Sequence, residues 1–193
     1  MRSFVNLPEN YTEICSVDLQ KNKKTYLIVN GLNILITVLL AIPMHFVVPI
    51  TTLFDIEAGT NKFLIKFGVY IVLVIVYIFL HELVHGIAMK ICGTKKVKFG
   101  LTRTYAYAGS NDYYDKKSYI FIALAPVVLW GIVLAIVNLL VPVEWFWVVY
   151  FIQIFNLSGA SGDLFVTVKF SRLPSDILIQ DSGVCMTVFS KKQ

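Results

Sequence analysis

The run Phe67-Gly68-Val69-Tyr70-Ile71-Val72-Leu73-Val74-Ile75-Val76-Tyr77-Ile78-Phe79-Leu80 carries no charge and leads directly into His81-Glu82-Leu83-Val84-His85. With Gly86-Ile87-Ala88-Met89 added, the stretch reaches the roughly 20 residues that cross a bilayer. It therefore predicts a membrane-embedded helix that ends in an H-E-x-x-H motif. On a helix the two histidines, four residues apart, project from one face and can share a metal ion, with Glu82 beside them as a proton acceptor.

Composition agrees with a membrane protein. Apolar residues make up 57% of the 193-residue chain and charged residues only 15%, outside the usual soluble range. The net charge of +5 does not point to nucleic acid, because the basic residues flank apolar spans instead of gathering on a polar surface. Cys15, Cys92 and Cys185 are scattered, with no C-x-x-C spacing, and read as reduced thiols without a catalytic role. The polar stretch from Met1 to Lys24 is too long for the n-region of a cleavable signal peptide, so the first apolar span is expected to stay.

Four spans emerge when charge-free runs are measured against bilayer thickness, giving a mainly α membrane protein organised as one domain. They cover about 25–50, 67–89, 118–143 and 145–168, and the last is interrupted by Asp163. Lysine and arginine are concentrated before the first span, between the second and third, and in the tail, whereas Lys62 and Lys66 alone mark the other side. The positive-inside bias thus places both termini and the middle loop in the cytosol. At 1.5 Å per residue, His81 lies about 22 Å past Lys66 and Asp163 about 27 Å past Trp145. Spans two and four run in the same direction, so the motif and the acid come to similar depth near the cytosolic face.

Two small β-hairpins are expected on that face. Lys96 to Leu101 and Thr104 to Ala108 alternate as strands do, and Ile177-Leu178-Ile179 and Met186-Thr187-Val188-Phe189 flank the turn-like Asp181-Ser182-Gly183.

A catalytic zinc needs three protein ligands and one open position. His81 and His85 supply two, and His45, Glu144, Asp112, Asp115 and Asp163 are candidates for the third. His45 and Glu144 fall at the outer end of the bilayer, and Asp112 and Asp115 would have to fold back from a loop. Asp163 has the right depth, in the small-residue setting Ser158-Gly159-Ala160-Ser161-Gly162 that lets helices approach closely. An intramembrane acid or histidine is in any case a functional candidate. Zinc in such a site would polarise a peptide carbonyl and make water acidic enough to attack near neutral pH, while Glu82 takes the water proton and passes it to the leaving amine. Asn156, seven residues before Asp163, is the candidate donor to the developing oxyanion, with an amide that packs helices together as the alternative reading.

These residues resemble a known class. A membrane-embedded H-E-x-x-H followed two spans later by an aspartate among glycines resembles the site-2 intramembrane zinc metalloproteases, and within them the small bacterial membrane proteins called putative zincin peptidases. The resemblance runs over about 67–189, including Ala123-Leu124-Ala125-Pro126 and Asp181-Ser182-Gly183. It implies zinc held by His81, His85 and Asp163, Glu82 as the base, and an enzyme integral to the bacterial cytoplasmic membrane. One departure is that site-2 proteases carry Leu-Asp-Gly at the third ligand, whereas Asp163 follows Gly162 and precedes Leu164.

The expected function is an intramembrane zinc metalloprotease acting on membrane or membrane-associated proteins and peptides, with the bilayer as its other partner. Two alternatives are a non-catalytic zinc-binding scaffold and a small transporter. A dead homologue would be expected to lose Glu82 first, and the paired broken helices of many transporter repeats are missing from the sequence. The Val97 to Ala108 hairpin offers either a strand edge for an unwound substrate or an interfacial anchor through Tyr105 and Tyr107.

Overall fold

The computed structural model describes residues 2–19, 21–54, 60–102, 105–183 and 185–192. Thr104, at the start of an expected strand, and Arg103, part of the middle-loop charge, lie outside the described residues. The helices are α1 Lys23–Val47, α2 Thr60–Ile91, α3 Lys116–Leu140, α4 Val143–Gly159 and α5 Ser161–Ser171. A 3-10 turn, Ile50–Phe54, follows α1.

Local chemistry sets the helix ends. Asn22 caps α1 by accepting from the Thr25 N–H at 3.1 Å, and Asp115 caps α3 by accepting from Ser118 N–H at 2.7 Å, each satisfying a donor that the first turn leaves open. Helix α2 is longer than its charge-free core, since Lys62 and Lys66 are absorbed into its first turns. The expected fourth span is two helices, and the chain turns at Ala160 (φ −80°, ψ 15°). Small residues on either side, Gly159, Ser161 and Gly162, make a break there inexpensive.

Helices α2, α3 and α4 pack on one another, while α1 packs on α4 and α5. Among the described residues, four helical segments are long and apolar enough to cross a membrane: Lys23–Val47, Asn61–Ile91, Lys116–Leu140 and Val143–Ser171. Their outward faces are apolar, as Leu39, Phe79, Ile132 and Leu139 illustrate at 61, 58, 58 and 85% exposure.

Among the described residues, seven strands gather at the motif end of the helices. A five-stranded antiparallel sheet has the order β1-β5-β6-β7-β2, built from β1 Ser3–Phe4, β5 Tyr113–Asp115, β6 Leu178–Asp181, β7 Cys185–Lys191 and β2 Tyr11–Asp18. The expected tail hairpin is its β6–β7 pair, in which Asp181 faces Met186. The N-terminal strands are an addition to the sequence reading; β2 pairs with β7 from Tyr11 opposite Lys191 to Asp18 opposite Cys185. The other expected hairpin is a separate two-stranded sheet of β3 Lys98–Leu101 and β4 Ala106–Gly109.

One buried cluster joins the five-stranded sheet to the helices at the motif end. Val17, Tyr114, Ile179 and Val188 of the sheet meet Ala88 and Met89 of α2, Tyr119 and Ile122 of α3, and Val166 and Phe170 of α5. Each large apolar side chain removed from water here contributes about 1.5–3 kcal/mol. The cluster therefore fixes the ends of α2, α3 and α5 against one another, which are the three helices that build the site. Cys15, Cys92 and Cys185 are all free thiols.

Candidate metal centre

Helix α2 brings Tyr77, His81 and His85 to one face at successive intervals of four residues. Asp163 enters from the first turn of α5, just past the break at Ala160. Its Oδ2 lies 3.7 Å from His81 Nε2 and 3.6 Å from His85 Nε2, and one ligand atom from each of the three residues falls within 4.8 Å of the others. Metal–ligand bonds of about 2.0–2.1 Å in a tetrahedron imply ligand separations of roughly 3.4 Å. The two carboxylate–imidazole separations thus suit zinc, and two imidazoles with one carboxylate would leave a fourth position open.

Hydrogen-bond accounting assigns both histidine tautomers. Asn156 Nδ2 donates to the Val127 carbonyl at 3.1 Å, which orients its amide so that Oδ1 faces Tyr77. Tyr77 donates its one hydroxyl proton to Asn156 Oδ1 at 2.7 Å. The 2.8 Å contact between Tyr77 Oη and His81 Nδ1 must then be donated by the histidine, since the hydroxyl proton is already engaged. His85 Nδ1 lies 2.9 Å from the Ile122 carbonyl, which can only accept. Both histidines accordingly carry their proton on Nδ1 and turn the Nε2 lone pair toward the metal position. Such partners orient ligands and raise their basicity.

Glu82 is half-buried beside the histidines, with the Ala108 backbone N–H of β4 near its carboxyl group. The strand that supplies this donor is held down by the β6–β7 turn. Gly109 backs onto Ser182, and Gly183, at φ +86°, lies against the Tyr107 ring. A side chain at Gly183 would meet that ring and would also strain the left-handed backbone.

The site opens into a cavity of about 510 Å³ between α1, α2, β4 and α5. Tyr26, Asn30 and Asn33 line it from α1, Tyr105 to Ala108 from the hairpin, and Gly159 to Asp163 from the helix break. Asp181 also reaches it. Burial pushes the Asp181 carboxyl up to about 6, although it accepts from the Gly183 N–H at 2.8 Å.

The sequence-derived candidates therefore separate into two groups. His81, His85, Asp163 and Glu82 come together at the cavity. Asn156, fully buried at 0% exposure, stands behind His81 with its oxygen and one amide proton committed, and it is not among the residues lining the cavity. Its link to the site runs through Tyr77. Of the other candidates for third ligand, His45 is occupied with the Ile50 N–H at 3.1 Å and Asp115 with its helix cap. Sequence reasoning passed over Tyr77 and Asp181. Tyr77 carried a signal, four residues before His81 on the same face, whereas Asp181 reaches the site only through the sheet.

Tyr77→Phe is expected to leave His81 Nδ1–H and Asn156 Oδ1 without partners. Metal affinity should fall about 10- to 100-fold, with about 1–3 kcal/mol lost in stability. Competition against a chromophoric chelator and thermal unfolding of the metal-free protein measure the two effects.

Two histidines one helical turn apart with a glutamate between them, and an aspartate from a distant helix, form a group that could hold a metal ion as zincins do. The chain belongs to the family described as "Putative zincin peptidase", which matches residues 74–178. This segment contains the whole donor set and the Glu82 position. A curated relative, the "Uncharacterized 24.7 kDa protein in gap 5'region" of Pyrococcus woesei, is 32% identical over 123 residues, 61% of this chain. The match covers 53% of that relative, so the chain spans about half its length. No solved structure matches the chain. Membership of the family supports a zinc metallopeptidase.

Proposed function

We propose that the protein is an intramembrane zinc metallopeptidase that cleaves membrane or membrane-associated proteins and peptides near the cytosolic face, with both termini in the cytosol. The observation that carries the proposal is the convergence of His81, His85 and Asp163 at a cavity that also receives Glu82. The membrane setting rests on the apolar outward faces of the four long helices and on the lysine and arginine asymmetry.

When bound, zinc supplies a Lewis acid for the scissile carbonyl and lowers the pKa of water. The chain's own groups do the rest. Glu82, near the Ala108 N–H, takes the proton of the attacking water and delivers it to the leaving nitrogen. His81 and His85 are kept in the Nδ1–H form by Tyr77 and Ile122, so no ligand reorients during turnover. Asn156 takes part by positioning Tyr77.

Substrate presentation follows from strand geometry. Alternate strand residues point their backbone groups to the same edge, so Ala106 shares with Ala108 the edge of β4 that faces away from β3. An extended substrate segment pairing with that edge would lie beside Glu82. This suits cleavage of a membrane helix, whose peptide bonds must first leave their helical hydrogen bonds.

The test is zinc content and cleavage of a fluorogenic transmembrane peptide by the purified wild-type chain in liposomes. About one zinc per chain, with cleavage abolished by chelation and restored by zinc, is expected. Zinc without cleavage would favour a scaffold, and zinc-dependent ion flux without cleavage would favour a transporter; either defeats the proposal.

A further inference from the structure

Pro126 lies inside α3, with helix on both sides, and is buried. Proline has no N–H, so the carbonyl four residues earlier loses its helical partner, and the ring pushes that carbonyl away from the helix axis. Four residues before Pro126 is Ile122. Its carbonyl is the one that accepts from His85 Nδ1 at 2.9 Å, in a buried contact.

We infer that Pro126 is a positioning residue of the metal centre: by releasing the Ile122 carbonyl from the α3 ladder, it supplies the acceptor that fixes His85 with Nε2 toward the metal. The inference rests on the zinc reading above. Its physical content is a match between two needs. A buried carbonyl without a partner is unfavourable, and a ligating histidine needs an acceptor on its far nitrogen. The proline creates the first and the histidine answers it. An ordinary residue at 126 would put an N–H in competition with His85 for the same oxygen.

The other helix-interior proline provides a control. Pro43 lies in α1, where the carbonyl four residues earlier belongs to Leu39, a residue 61% exposed on an outward face. Among the described side-chain hydrogen bonds, the nearby one from Tyr150 goes to the Leu40 carbonyl instead.

The experiment compares zinc affinity of the full chain in detergent for wild type, Pro126→Ala and Pro43→Ala, by chelator competition, together with thermal unfolding of each metal-free protein. Pro126→Ala should bind zinc about 10- to 100-fold more weakly, while its unfolding midpoint is unchanged or higher because alanine repairs the helix. Pro43→Ala should bind within about twofold of wild type, the range of a site left untouched. Unchanged affinity in Pro126→Ala, or equal losses in both variants, overturns the inference. A second measurement needs no variant: in zinc-loaded wild type labelled with ¹⁵N-histidine, His85 should keep its proton on Nδ1, and metal on Nδ1 instead overturns the inference. A wild type that binds no zinc would defeat the metal reading itself, a different failure from wild-type binding that Pro126→Ala leaves intact.

Discussion

Glu82→Gln is expected to lower peptide cleavage by about 10²- to 10⁴-fold, the usual worth of a positioned acid–base group, while zinc remains near one equivalent. Glutamine matches glutamate in length, and its amide oxygen can still face the Ala108 N–H, so β4 should stay in place. What it cannot do is take a proton from water. The metal should stay because the ligand atoms belong to His81, His85 and Asp163. Parallel measurement of zinc content, unfolding temperature and cleavage separates lost chemistry from lost structure. Cleavage at the wild-type rate by a folded, zinc-loaded Glu82→Gln protein would remove Glu82 from the mechanism.

How far the sequence exposed this arrangement depends on the range of the forces involved. Long apolar helices are visible because a bilayer demands a length and forbids charge over it. The 67–80 run therefore announced α2, including the histidines at its end. The tail hairpin was visible too, since Asp181-Ser182-Gly183 is a local turn signal between apolar runs. Strands β1 and β2 were not, because nothing local specifies them. Strand β2 finds its partner β7 at the far end of the chain, and the register shift between Glu13 and Cys15 breaks its alternation. Asn156 shows a different limit. A spacing of seven residues places two side chains on one face only if the helix is continuous, and the turn at Ala160 falls between Asn156 and Asp163. The phase is reset there, so the acid reaches the metal position while the amide ends behind His81. Asp181 belongs to a turn that the local sequence marks, but its place in the cavity depends on β6 pairing with β5 and β7, a long-range consequence of the sheet.

Asp163→Ala should reduce bound zinc from about one equivalent to near zero, and His85→Ala should do the same, because a site with only three protein ligands tolerates loss of one of them poorly. The two variants nevertheless test different parts of the argument. His85 belongs to the motif and would be lost from any reading of it, whereas Asp163 joins the site only through the placement of α5. That placement is secured by Val166 and Phe170, both at 0% exposure in the cluster beneath the sheet, so removing the Asp163 carboxylate should leave the helix in position. Zinc stabilises whichever protein binds it, by about 2.7 kcal/mol at a free concentration one hundred times Kd. Wild type should therefore unfold at higher temperature as zinc is added, and Asp163→Ala should show no such rise. A zinc-dependent rise equal to wild type in Asp163→Ala would place the third ligand elsewhere. Asp181, the remaining carboxylate at the cavity besides Glu82, would then be the residue to replace next, and loss of zinc only in the Asp163→Ala, Asp181→Asn double variant would identify it as the substitute ligand.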